Sequence, residues 1–108
     1  MGMKPKLSVA ALCLPALMLT AVAEEHNYKP PGGYVSDATV AIKIAVAVWE
    51  PIYGKQKIAS EAPYRASLAN GVWTVEGSLP KGAHVLGGVA VADIAKEDGK
   101  ILRVSHGM

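Results

Sequence analysis

Two hydrophobic patterns divide the chain. From Ala38 to Tyr53 apolar residues recur at helical spacing, with Ala41, Ile44, Ala45, Val48 and Ile52 on one stripe and Thr39, Lys43, Val46 and Glu50 on the opposite one. Ser36 and Asp37 are both good N-caps; Pro51 removes a hydrogen bond in the last turn, and Gly54 supplies the stop. The polar stripe is thin and includes Val46, so the helix is expected to be covered on more than one side or to offer a flank to a partner. Lys55 to Ala62 reads as a polar connection, after which the pattern changes to alternation.

The alternating half predicts two hairpins. Asn70-Gly71 is a strong signal for a two-residue type I′ turn, because both central residues of that turn need positive φ. Pairing outward sets Leu68 opposite Trp73, Ser67 opposite Thr74, Ala66 opposite Val75 and Arg65 opposite Glu76, with one apolar and one polar face. The predicted strands run from about Pro63 to Ala69 and from Val72 to Leu79, with Gly77 marking a bulge or bend. After a loop over Pro80 to Gly87, two further strands span Gly88 to Ala95 and Lys100 to His106. Parity decides their turn: a two-residue Asp98-Gly99 loop would set Ile94 against Arg103. A three-residue loop of Glu97-Asp98-Gly99, with Gly99 left-handed, pairs Ile94 with Leu102, Ala92 with Val104 and Asp93 with Arg103. The expected fold is α+β: one N-terminal helix packed on a curled, four-stranded antiparallel meander, with Val48, Leu68, Trp73, Val75 and Leu102 in the core.

Ahead of the helix the chain has another character. Lys4 and Lys6, an apolar run from Leu7 to Leu19 and the small-x-small Ala21-Val22-Ala23 read as a signal peptide over residues 1–23, cleaved after Ala23. The expected destination is the periplasm or the exterior, with no membrane span left after cleavage. Residues 24–34, with Pro30-Pro31-Gly32-Gly33, read as a flexible lead, and residues 35–108 as the domain. Removing 23 of 108 residues leaves 85 and takes away Cys13, the only cysteine, so no internal disulfide remains. A core of that size rarely supplies more than about 3–5 kcal/mol net, which gives a partner or a homodimer something to contribute. Without Lys4 and Lys6, nine basic side chains face nine acidic ones. No basic stripe marks a nucleic-acid binder.

Catalytic chemistry finds no footing in the pattern. Ser105 and His106 are neighbours on a strand and point to opposite faces. His26, His84 and His106 have no metal-site spacing and read as solvated or edge histidines. Asp98 is explained by its turn, Asp37 by its cap, and Glu76 and Asp93 by cross-strand partners. The run Gly82 to Gly88 lacks the Lys-Ser/Thr ending of a phosphate loop and reads as a mobile loop. The expectation is a non-enzymatic protein without cofactor or metal. On the solvent face of the sheet Val89, Val91 and Ile101 share a surface with Arg65, Glu76, Asp93 and Arg103, an apolar centre with a charged rim that suits a protein interface.

The residues Ala41-Ile42-Lys43-Ile44-Ala45, Glu50-Pro51-Ile52-Tyr53-Gly54, Asn70 to Pro80, Gly87-Gly88-Val89-Ala90 and Asp98 to Gly107 resemble the NTF2-fold immunity protein family over nearly all of Val35 to Gly107. The resemblance implies a non-enzymatic inhibitor that binds a cognate protein toxin of the Rhs type or similar. With the export signal, it implies a toxin acting in the envelope. A single helix and 85 residues imply a reduced, cystatin-like half-cone. The chain is also similar to PepSY-type modules, which implies a secreted regulator or inhibitor of a peptidase; a structural, self-associating domain is the third reading.

Overall fold

The computed structural model describes residues 25–79 and 88–107. The expected signal peptide and the Pro80–Gly87 loop, with His84, lie outside them. Helix α1 spans Ala38–Tyr53, the predicted bounds. Asp37 is extended and its side chain accepts a hydrogen bond from the Val40 N–H at 3.0 Å, a cap contributing about 1 kcal/mol. At the other end Gly54 takes φ +100° and its N–H donates to the Glu50 carbonyl at 2.9 Å. Lys55–Ala59, expected as a polar connection, forms a short helix α2 that buries Ile58 completely.

The buried residues of α1 follow one i+4 ridge, Ala41, Ala45 and Trp49, continued by Tyr53. Such a ridge winds slowly round a helix. By the last turn it has left Ile52 57% exposed, whereas Val46 is drawn in against the core. Val48, expected as core, is half-buried at the margin. Trp49, which helical averaging placed on neither stripe, is the largest fully buried side chain of the molecule.

Four strands, β1 (Arg65–Ala69), β2 (Val72–Glu76), β3 (Ala90–Ala95) and β4 (Ile101–His106), pair in sequence order as an antiparallel meander. The first hairpin has the predicted register throughout, from Arg65 opposite Glu76 to Ala69 opposite Val72. Asn70 and Gly71 take φ +51° and +77°, as a type I′ turn demands. The second hairpin keeps Ala92 opposite Val104 and Asp93 opposite Arg103, with Gly99 left-handed at φ +81°. Its turn is one residue longer than expected: the Ala95 N–H donates to Lys100, leaving Lys96–Gly99 as the loop. A bulge between Asp93 and Ile94 restores the parity, so Ile94 meets Ile101 rather than Leu102.

Helix α1 lies across β1, β2 and β3. Beneath it Val75, Ala90, Ala92 and Ile94 are fully buried and Trp73 is 8% exposed. Trp73 and Val75 are core, as expected. Leu68 and Leu102, also expected there, are 45% and 48% exposed. Leu68 sits on the edge strand β1, and Leu102 is the extra residue of the bulge on β4, outside the three strands that α1 lies across.

The end of the polar lead is bonded rather than free. Tyr34 and Val35 donate their N–H groups to the Glu97 and Lys96 carbonyls at 3.0 Å each, and Lys96 Nζ donates to the Gly32 carbonyl. Gly33, at φ +93°, lies where an added Cβ would fall 2.5 Å from the Lys96 carbonyl oxygen, so only glycine fits. Val35 is buried, and its carbonyl accepts the Trp73 indole N–H at 2.8 Å.

Candidate functional site

The alternation of each strand gives the sheet two faces, one under α1 and one open. On the open face the registers align side chains in rows across all four strands. One row runs Ser67, Thr74, Asp93, Arg103, and the next Arg65, Glu76, Val91, Ser105. Within the first row, Thr74 Oγ1 donates to Asp93 Oδ1 at 2.8 Å and Arg103 Nε donates to Asp93 Oδ2 at 2.8 Å. Arg103 Nη1 reaches Ser105 Oγ at 3.3 Å and joins the two rows. Arg65 pairs with Glu76 at 3.1 Å.

The Arg103 hydrogen bond, seconded by Thr74, holds the Asp93 carboxyl below its ordinary range, so it stays ionised at neutral pH. Asp93 in turn fixes the guanidinium of Arg103, whose side chain is 55% exposed. An arginine held in place by a neighbour while still open to solvent loses little freedom when a partner binds. A shallow cleft of about 400 Å³, lined by Arg65, Glu76, Ser78, Leu79 and Val89 among others, opens at one end of this face.

Of the seven residues assigned to an interface from the sequence, the structure brings together Arg65, Glu76, Val91, Asp93 and Arg103 on the open face. Val89 joins them through the cleft, its carbonyl accepting the Gly107 N–H at 3.1 Å. Ile101 does not join them. The bulge sets it opposite Ile94, whose side chain is buried under α1, so Ile101 belongs to the other side of the sheet.

Sequence reasoning missed a second charged pair, on the covered side. Glu61, only 3% exposed, accepts the Ala90 N–H at Oε1, 2.7 Å away, and its Oε2 lies 2.7 Å from His106 Nε2. The hydrogen bond to Glu61 raises the His106 pKa above its ordinary value against the opposing effect of burial. The Tyr53 ring covers the imidazole at 5.2 Å. His106, read from the sequence as a solvated or edge residue, is thus a half-buried partner, because β4 ends beside the segment between α2 and β1, where Glu61 is bonded to Ser78 and Ala90. Gly77 is the signal that pointed here. It makes neither bulge nor bend but room, since a Cβ on it would fall 2.5 Å from Glu61 Oε1.

Fold and surface define the class: an α+β protein with a helix closing one face of a four-stranded meander and a row-ordered, charged open face. Residues 40–108, from the first turn of α1 onward, match the family described as NTF2 fold immunity protein, and the chain belongs to it. It is also similar to protein YhhH of Escherichia coli (strain K12), described as uncharacterized, at 31% identity over 87 residues covering 76% of this chain and 68% of that protein. No solved structure matches. Among the described residues no helix is long and apolar enough to cross a membrane.

Proposed function

We propose that this protein is an exported, non-enzymatic immunity protein that binds and neutralises a cognate bacterial toxin acting in the envelope, of the Rhs type or similar. The observation that carries this reading is the family match, which spans both hairpins and nearly all of α1. In this reading the sheet is a reduced, cystatin-like half-cone whose covered side is filled by α1, and cleavage after Ala23 delivers the domain to the periplasm or the exterior. The toxin docks on the open face, with Val91 and Val89 at the centre and Arg65, Glu76, Asp93 and Arg103 as the rim. Two features support that choice of face: its charges are already paired and therefore cheap to desolvate, and its arginines keep donors free for a partner's acceptors.

The test is affinity capture with the tagged chain from the envelope fraction of its host, with bound proteins identified by mass spectrometry. A secreted toxin retained in stoichiometric amount, whose toxicity is abolished by co-expression of this chain, is the expected result. Recovery of a peptidase would point to a PepSY-like regulator instead, and a toxin that still kills in the presence of the chain would overturn the reading.

A further inference from the structure

The sheet has two edges, and they differ. On β4 the bulge at Ile101 and Leu102 interrupts the line of backbone groups, and His106 is tied to Glu61 at its end. A bulge of this kind blunts an edge against further pairing. Edge strand β1 carries no such device. Its five residues, Arg-Ala-Ser-Leu-Ala, contain no proline, no lysine and no register shift, and four of the five are exposed.

The turn fixes which backbone groups of β1 are free. Ala69 and Val72 flank the two-residue turn and form its closing hydrogen-bonded pair, so Ala69, Ser67 and Arg65 direct their N–H and C=O toward β2. Ala66 and Leu68 direct theirs away from the sheet, where among the described residues nothing meets them. The side chains of the same two residues lie on the covered face. Ala66 packs on the core, and Leu68 is left 45% exposed.

We propose that β1 pairs antiparallel with β1 of a second copy of this chain, about a two-fold axis through Ser67. That register is the one that matches all five residues. It sets Ala66 opposite the partner's Leu68, and Leu68 opposite the partner's Ala66. Since these are the two residues with outward backbone groups, both crossings become hydrogen-bonded pairs and four new bonds form. The same crossings lay each exposed Leu68 against a small alanine. Arg65 falls opposite the partner's Ala69, which keeps the two guanidinium groups roughly 13 Å apart along the strands and leaves each with its own Glu76. Ser67 meets itself on the axis in a non-hydrogen-bonded pair, the closer of the two kinds of crossing. The result is a continuous eight-stranded sheet whose open faces adjoin.

The experiment is sedimentation of the purified chain, in the form its host produces, over a range of concentrations, joined to cross-linking on the axis. The expected result is a concentration-dependent dimer, weakened roughly tenfold or more by Leu68→Lys and by Ala66→Pro, which remove the apolar contact and one outward N–H without touching the bonds to β2. In a Cys13→Ser background, Ser67→Cys should be driven by oxidised glutathione to a disulfide-linked dimer, because non-hydrogen-bonded crossings bring Cα atoms to about 4.5 Å. Arg65→Cys, displaced from the axis, should cross-link far less. A protein that stays monomeric at high concentration overturns the proposal, as does a dimer that both substitutions leave intact. If the substituted chains fail to fold, Ser67→Cys still decides it: cross-linking no faster than Arg65→Cys rules out the axis.

Discussion

Among the described residues two ion pairs involve β4, and their bond lengths are nearly the same: 2.7 Å for His106 with Glu61 and 2.8 Å for Arg103 with Asp93. What differs is the surroundings. The first pair sits on the covered side, with side chains 13% and 4% exposed; the second sits on the open face at 55% and 20%. A short distance therefore does not say what a pair is for. A buried pair stabilises mainly in the sense that breaking it strands its partner, whereas a half-exposed pair contributes little to folding and remains available to a ligand. The covered side of this sheet uses charge to lock the end of β4 to the segment that follows α2. The open side keeps it in reserve.

The largest effect should come from removing the covered carboxylate. Glu61→Ala leaves His106 Nε2 and the Ala90 N–H without partners, an expected loss of about 3–5 kcal/mol. In a domain this small that is close to the whole net stability, so thermal melting followed by circular dichroism should show a collapse of the transition or its disappearance. Gly77→Ala attacks the same pair from behind, forcing the carboxylate out of its seat at a cost of about 1–3 kcal/mol. The two changes should be markedly less than additive in denaturant titrations. Additivity would mean that Gly77 serves something other than Glu61.

The same contrast explains how much the sequence revealed. The open face was nearly complete in it, because Arg65–Glu76 and Asp93–Arg103 follow from turn chemistry and a period of two, both local rules. Ile101 was misplaced by a bulge, a one-residue choice that parity cannot detect when a longer turn compensates for it. The covered side was poorly legible. Glu61 and His106 are 45 residues apart in sequence, and only the docking of the segment after α2 brings them together. Trp49 was hidden for a related reason: a winding i+4 ridge is not a fixed stripe, and the sheet beneath selects which turn of the ridge is central.

Titration should separate the two pairs by pH window. The folded-state pKa of His106 is raised, so its contribution is fully present below the ordinary histidine value and is lost as pH rises through the raised one. The pKa of Asp93 is lowered; its contribution is present above the ordinary carboxylate value and is lost as pH falls through the lowered one. Urea midpoints measured across pH should decline on the alkaline side, and His106→Asn should flatten that decline while leaving the acid side unchanged. A decline that survives His106→Asn would assign it to another group.

The smallest effect on folding should fall on the open face. Arg103→Glu breaks the Asp93 bond and places a second acidic group beside Asp93, yet solvent screens the repulsion, and the stability change should stay within about 1 kcal/mol. Its effect on binding should be far larger than its effect on stability, because an arginine fixed by its neighbour and facing a partner contributes through donors that glutamate lacks. Melting and affinity for the captured toxin, measured on the same preparation, make the comparison. A near-normal melting curve with affinity reduced at least tenfold fits an open face held for recognition. Unchanged affinity would move the toxin contact elsewhere, and Arg65→Glu, in the neighbouring row and on the wall of the cleft, would then tell whether any part of this face is used.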